Sequence, residues 1–173
     1  MTSRVISAGE FAGLFREARR SIFRMEDQRN PLTAERTAYE RFLCGAPLPP
    51  PEWPEWQAWL NKVRDLAQQG KLVSRIIIID DPVAPYQQWW MWAASWHRQA
   101  GEDILLLPRH KADALGIRGN WCLFDDEQAV DMTFTPVGGV GSKLLITGPQ
   151  VSAYLAWRNL AGHSATPAET STA

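Results

Sequence analysis

Cysteine is scarce in this sequence: Cys44 and Cys122 are the only two in 173 residues, and no CxxC pair occurs. A disulfide framework and the usual thiolate metal or redox sites are therefore excluded, and two buried, reduced thiols are expected. Histidine is nearly as rare. His97, His110 and His163 form no HExxH-type pair, so neither a zinc site nor any cofactor is expected. An excess of one charge is also missing, because the acidic and basic residues are interspersed and the net charge is −1. No overall field draws nucleic acid or an anionic membrane to the protein.

Long apolar runs are missing too. None approaches the roughly 18 residues of a membrane span, and MTSRVISAGEFAGLF lacks an apolar core of signal-peptide length. A cytoplasmic location with no membrane partner is expected. No serine sits in a GxSxG elbow, which removes the sequence basis for hydrolase-type nucleophilic catalysis. Gly138-Gly-Val-Gly141 lacks the lysine and hydroxyl residue of a phosphate-binding loop and reads as a strand connection. His110-Lys111 with Asp113 has residue types used in phosphodiester chemistry but not the spacing, and reads as a solvated loop.

What is present is enough apolar residue, 45%, to build one unstapled core in a chain of single-domain length. After a flexible stretch over residues 1–7, Ser7 and Glu10 form a capping box. Phe11, Leu14, Phe15, Ala18 and Ile22 then predict a first helix from Ala8 to Arg24. A second helix starts at a Thr33 cap, carries Tyr39, Phe42 and Leu43, and stops at Gly45. Pro47-Leu-Pro-Pro-Pro51 is a stiff connector, and Trp53 to Gln69 is a third helix ended by Gly70. Residues 8–70 are thus expected to be a helical segment.

From residue 71 to 162 the pattern predicts a sheet with a crossover helix and a carboxy-terminal helix. Arg75-Ile-Ile-Ile-Ile79 and Asp103-Ile-Leu-Leu-Leu107 read as strands buried on both faces, joined through a helix over Tyr86–Gln99. Trp121–Phe124 and Ala129–Thr135 flank the polar turn Asp125–Gln128 as a hairpin, and Lys143–Thr147 adds a strand. A short helix is expected around Lys111–Leu115, and a last one from Pro149. His163 to Ala173 reads as a disordered tail. The fold class is α/β of the mixed α+β kind.

The sharpest feature is the helix YQQWWMWAASWH, with four tryptophans where one apolar face would suffice. On a helical wheel Tyr86, Trp89, Ala93 and Trp96 face inward, Trp90 and Trp92 lie on the two shoulders, and Met91 points nearly opposite. That surplus suits a partner interface, a stacking platform or a ligand pocket, with an aromatic core as the alternative. Stacking on nucleic-acid bases is disfavoured because only Arg98 lies among these rings. Single-strand binding would require Arg16, Arg19, Arg20, Arg24, Arg75 and Arg98 to converge. Acidic candidates for proton transfer or Mg²⁺ are Asp80 and Asp81, Glu102, and Asp125 and Asp126, four of them directly after predicted strands. Aspartate at such places also forms turns.

Six segments, Phe11-Ala-Gly-Leu-Phe15, Arg24-Met-Glu26, Arg41-Phe-Leu-Cys-Gly45, Arg75-Ile-Ile-Ile-Ile79, Ala100-Gly-Glu102 and Trp121-Cys-Leu-Phe-Asp-Asp126, together resemble an uncharacterised domain family of actinomycetes. The resemblance spans roughly residues 8 to 160. It implies genes beside helix-turn-helix regulators and a phospholipase-D-like mixed sheet without the catalytic motif. Phospholipase D chemistry needs HxK, but His110 is followed by Lys111 and then Ala112, so no phosphodiesterase activity is expected. The chain departs from the family after Glu26, where Asp27-Gln-Arg-Asn-Pro31 replaces a stretch leading to a tyrosine, so a shared pocket near Glu26 is not assumed.

The expectation is a non-catalytic binding or regulatory module whose tryptophan helix and strand ends meet a partner protein, such as a helix-turn-helix regulator, or an apolar or aromatic small molecule. A homodimer through the same surface is one version. The rival is an enzyme of specialised metabolism with an aromatic pocket and acidic proton-transfer groups, and two carboxylates converging on one empty volume would favour it.

Overall fold

Ser7 starts the first helix as its spacing predicts. Its hydroxyl accepts the Glu10 N–H at 3.2 Å, and the Glu10 carboxylate accepts the Ser7 N–H at 2.8 Å. The helix, α1 (Ala8–Glu17), is nevertheless about two turns shorter than its apolar spacing suggests. The carboxylate of Asp125, more than a hundred residues away, accepts the backbone N–H groups of Arg19, Arg20 and Ser21 at 2.8, 2.7 and 3.0 Å. Those donors are lost to the helical ladder, and the chain turns into a strand, β2 (Ser21–Glu26). Because β2 is buried on both faces, Ile22, Phe23 and Met25 were equally compatible with helix and strand.

The computed structural model describes residues 3–168. It is a mixed α+β fold around one eight-stranded sheet, with strand order β1-β7-β6-β5-β2-β3-β4-β8. The remaining strands are β1 (Ser3–Val5), β3 (Leu72–Ile79), β4 (Glu102–Pro108), β5 (Asn120–Phe124), β6 (Gln128–Phe134), β7 (Val140–Thr147) and β8 (Thr166–Pro167). Strands β2, β3 and β4 are parallel, and the other pairings are antiparallel. The other helices are α2 (Arg36–Leu43), α3 (Pro54–Gln68), α4 (Pro85–Ala100), α5 (Arg109–Ala114) and α6 (Val151–Ser164). Among the described residues, no helix is long and apolar enough to cross a membrane.

Side chains alternate across the sheet and sort the core into two layers. Ile22, Cys122, Phe124, Val130 and Met132 meet α1 and α3, and Ile77, Ile104 and Leu106 meet α3 and α4. Phe23, Met25, Ile76, Ile78, Leu107 and Trp121 face α5 and α6 on the reverse. The strand, helix, strand crossover from β3 through α4 to β4 is parallel, as the apolar runs predict. It closes at Gly101, whose φ is +107° and where a Cβ would stand 2.8 Å from that of Ala67. Both the conformation and the close approach require glycine there.

Several boundaries depart from the sequence reading. Ser3–Val5, in the stretch expected to be flexible, pairs with β7. At the other end, α6 carries His163, β8 pairs with the edge of β4, and Ala168 donates its N–H to the Ile104 carbonyl, so the expected tail is ordered this far. Residues 1–2 and 169–173 lie outside the described residues. The segment 8–70 is not wholly helical, because β2 is central to the sheet. Thr33 opens a 3-10 turn, Thr33–Glu35, instead of capping a helix, and Glu35 accepts the Leu32 N–H at 2.9 Å. Pro50–Glu52 likewise forms a 3-10 turn in the proline connector. Cys122 is buried, whereas Cys44 is exposed, against the expectation of two buried thiols.

Candidate functional site

Strand alternation brings charge into the middle of the sheet. Arg24 and Glu26 on β2 share a face with Arg75 on β3, and the register sets Arg24 beside Arg75. Glu102 opens β4 on the same side, opposite Val73. The Arg75 guanidinium joins the strands. Its Nε donates to Glu102 at 2.8 Å and its Nη1 to Glu26 at 2.8 Å, with only 1% of its side chain exposed. Arg24 completes the row with an ion pair to Glu26 at 3.0 Å.

Two helices roof this row with aromatic rings. Trp56 and Trp59, one helical turn apart on α3, and Trp90 and His97, two turns apart on α4, all look down on it. The Arg75 guanidinium lies 4.5 Å from the Trp90 ring centre, and that of Arg24 lies 5.0 Å from Trp59. Each aromatic face thus holds a cation. His97 Nδ1 lies 2.8 Å from Glu102, which also accepts Trp59 Nε1 at 3.2 Å.

Burial lowers the His97 pKa more than Glu102 restores it, so the imidazole is neutral and Nδ1 carries the proton shared with Glu102. For Glu102, burial pushes the pKa up, but Arg75 and His97 outweigh it and keep the carboxylate ionised.

Between roof and sheet lies a cavity of about 190 Å³. Its walls are Arg24, Glu26, Arg75, Trp56, Trp59, Trp90 and His97, with Glu35 arriving from the turn before α2. Leu32 and Phe134 close its outer end with Gln28 and Asn120, residues shared with a shallower surface pocket that reaches Asn30 and Thr135. The tip between β6 and β7 is latched onto this rim, where Thr33 N donates to the Gly138 carbonyl at 2.9 Å and Arg36 to that of Val137 at 3.1 Å.

Glu35 is 93% buried, and one of its oxygens, Oε2, accepts both the Tyr86 hydroxyl at 2.7 Å and the Leu32 N–H. Burial raises its pKa, and the nearby Glu26 charge adds to this, against the Tyr86 and Leu32 hydrogen bonds. Among the described residues, Arg24 Nε, Arg75 Nη2 and His97 Nε2 are buried without a hydrogen-bond partner.

A buried ion-pair row is a weak source of net stability, since apolar side chains of similar volume generally serve as well. Placed against an open volume, it is instead a preorganised set of charges and acceptors. The arrangement can bind a small polar group between tryptophans, or exchange a proton through Glu35. Among the described residues, no group of three or more histidine, cysteine or acidic side chains is placed to hold a metal ion.

The expected site residues are dispersed by the fold. Trp90 lines the cavity and is 5% exposed, although the wheel put it on a shoulder. The wheel assumed one buried side, whereas α4 is covered by the sheet and flanked by α2 and α3. Tyr86 accepts Trp90 Nε1 at 2.9 Å and links it to Glu35. Trp89 stacks on Trp56 in the core at 4.8 Å, and Trp92 packs half-buried against Phe42 and Trp96. Trp96, read as inward, is also only half-buried.

The acidic candidates do not meet. Asp80 directly follows β3, bound by Arg29 and Arg109 at 2.9 Å each and by Gln87 at 3.1 Å, and Asp81 is exposed beside it. Asp125 and Asp126 form the β5–β6 turn at φ +57° and +65°. Because β5 is antiparallel to β2, this turn lies at the opposite end of the sheet from Asp80. Asp126 pairs with Arg158, and Glu102 alone of the five belongs to the charged row. The arginines do not converge either, since Arg24 and Arg75 are inside, Arg20 pairs with Glu127, and Arg98 donates to the Ala168 carbonyl.

Sequence reasoning missed Glu26, Glu35, Trp56, Trp59 and His97 as site residues. The available signal was Arg75 itself, a charge opening an isoleucine run that must be buried on both faces.

Comparison with known proteins adds a family and a fold. No curated protein matches the chain. Among solved structures, the chain is similar to TrmBL2, an archaeal chromatin protein whose structure is described as showing a novel mode of DNA binding. The TM-score is 0.53 at 9% identity, over 96% of this chain and 54% of that one. The likeness is one of fold alone, and the chain spans about half the length of that protein. The match to a family model is more extensive, running over residues 9–171 and so across the sheet, the tryptophan helix and the cavity alike. The protein belongs to the family described as domain of unknown function DUF6879.

Proposed function

We propose that the protein is a non-catalytic binding and regulatory module that takes a small, partly aromatic molecule into the cavity beneath the tryptophan helix. One observation carries this reading: Arg24, Arg75 and His97, which line the same tryptophan-walled volume, each have a buried nitrogen, Nε, Nη2 and Nε2 in turn, without a hydrogen-bond partner among the described residues. A buried polar atom left without a partner is costly, and a polar group of a ligand removes that cost.

Leu32 and Glu35, which line the cavity, flank the latch residue Thr33 in sequence, so occupancy is coupled to the surface around Asn30 and Thr135. That surface is where a partner such as a helix-turn-helix regulator, or a second copy, would sense the ligand. A phospholipase-D-like scaffold without HxK, in which Ala112 is buried in α5, agrees with binding in place of phosphodiester cleavage. A cytoplasmic setting agrees with the two free thiols.

The test is intrinsic tryptophan fluorescence and thermal shift of the full chain against a panel of small aromatic and polar compounds. A saturable change that Trp90→Phe diminishes is expected. A full panel without any saturable response sinks the proposal.

A second reading, favoured by the convergence of Glu26 and Glu35, is acid–base catalysis on the same ligand, with Glu35 as the group whose raised pKa suits proton donation. Product analysis after incubation with any ligand found separates the two, because a binding module returns that ligand unchanged.

A further inference from the structure

The unsatisfied groups around the cavity restrict which molecule it takes, an inference that rests on the binding role proposed above. Five buried side-chain nitrogens among the described residues lack a hydrogen-bond partner. Two of them, Trp89 Nε1 and Trp121 Nε1, belong to the apolar core on opposite faces of the sheet. The other three, Arg24 Nε, Arg75 Nη2 and His97 Nε2, belong to residues that line this one cavity. The side chains of Arg75 and His97 are each only 1% exposed, so bulk water does not supply what they lack.

The three atoms have different needs. A guanidinium nitrogen only donates, so Arg24 and Arg75 each lack an acceptor. His97 commits its Nδ1 proton to Glu102, 2.8 Å away, and burial keeps the ring uncharged, so Nε2 carries a lone pair and lacks a donor. Charge sets a further limit. The two guanidinium groups are already balanced by Glu26, which pairs with both, and Glu102, which pairs with Arg75. Glu35 adds to the negative side whenever it is ionised. An anion would bring charge that the buried set does not neutralise, and a cation would set its own N–H groups against two guanidinium donors.

A neutral group with a carbonyl oxygen and an N–H on the same carbon meets all three needs. Its oxygen has two lone pairs, and strand register sets Arg24 beside Arg75, so one carbonyl can serve both. A buried cavity of about 150 Å³ is large enough for one benzene ring. The volume here, about 190 Å³, takes one ring and such a group. We propose that the ligand is a neutral, single-ring carboxamide or lactam, with its carbonyl oxygen accepting from Arg75 and Arg24, its N–H donating to His97 Nε2 and its ring against the tryptophan walls.

The experiment is titration of the full chain at pH 7.5, followed by intrinsic tryptophan fluorescence, with four probes of nearly one shape, benzamide, benzoate, benzamidinium and acetophenone. Benzoate offers acceptors and a negative charge, benzamidinium offers donors and a positive charge, and acetophenone offers a carbonyl without an N–H. Benzamide is expected to bind about tenfold or more tighter than either ion and severalfold tighter than acetophenone. In Arg24→Lys, which keeps a positive charge beside Glu26 but removes Nε, benzamide affinity should fall severalfold. Because the four probes are compared on the unaltered protein, the result stands even if that variant does not fold. Binding of benzoate, benzamidinium or acetophenone as tight as that of benzamide overturns the neutral amide and leaves the binding role intact. No saturable response to any of the four also overturns the amide, while the wider panel decides the binding role separately.

Discussion

The hydroxyl of Tyr86 donates to Glu35 at 2.7 Å and accepts the indole N–H of Trp90 at 2.9 Å, so one oxygen ties the tryptophan helix to the acidic end of the cavity. Burial holds the Tyr86 pKa far above the ordinary phenol value, and the hydroxyl stays a donor throughout the usable pH range. This bond joins helix α4 to the turn before α2.

Glu35 makes folding stability pH-dependent. Its pKa is raised on folding, so its contribution is fully present below the unfolded carboxyl value of about 4.5 and is lost as pH rises through the folded value. Thermal unfolding of wild type and Glu35→Gln across pH 4 to 8 isolates this group, since Asp80 and Asp125 carry oppositely signed contributions in both proteins. The stability of the wild type relative to Glu35→Gln should decline as pH rises above about 4.5.

Arg75 is the one cation between two buried carboxylates. In Arg75→Met Glu102 loses its guanidinium partner and Glu26 keeps only Arg24, and about 3–5 kcal/mol of stability should be lost. Urea denaturation reads this directly, and a loss below 1 kcal/mol would show that the row does not hold the strands together. Adding Glu102→Gln should recover part of the loss by removing the uncompensated charge.

Asp125 is a structural acid here. Asp125→Ala withdraws the acceptor from three N–H groups at the end of α1 and should cost about 2 kcal/mol. Burial pushes its pKa up, but the N–H groups of Arg19, Ser21 and Arg20 outweigh this and hold it low. Its contribution is therefore present above pH 4 and lost as pH falls through the folded value. Ligand affinity at pH 7.5 should not change, because this turn lies at the far end of the sheet from the cavity mouth; an affinity loss would place Asp125 in the site after all.

Gly138 tests the latch. Its φ is +84°, and a Cβ would stand 2.5 Å from the Pro31 carbonyl oxygen, so Gly138→Ala must part the β6–β7 tip from the rim. A stability loss of about 1–3 kcal/mol is expected, together with faster acrylamide quenching of the buried tryptophans. Unchanged quenching with the same stability loss would mean that the mouth opens elsewhere.

The crossover from β3 through α4 to β4 was readable because an isoleucine run, a leucine run and a proline-to-glycine helix between them each carry a local signal. The β5–β6 hairpin was readable for the same reason. Strand β2 was not, since a segment buried on both faces has no distinguishing period and its helix is stopped by an aspartate from the other half of the chain. The tryptophan helix was visible, but its division into core and cavity walls was not. One wheel cannot show that α2 and α3 cover a second side, which moved Trp90 inward and left Trp96 half-covered.

By itself the sequence determined the chain's class, its central crossover and the excess of tryptophan on one helix, because composition and periodicity act over a few neighbouring residues. Only the tertiary structure decided where charge lies. Strand register set Arg24, Arg75 and Glu102 on one face, and a hydrogen bond across 51 residues brought Glu35 to Tyr86. A site made of groups from four separate elements exists only once those elements are packed, since each contributes a residue that alone looks like an ordinary strand or helix charge.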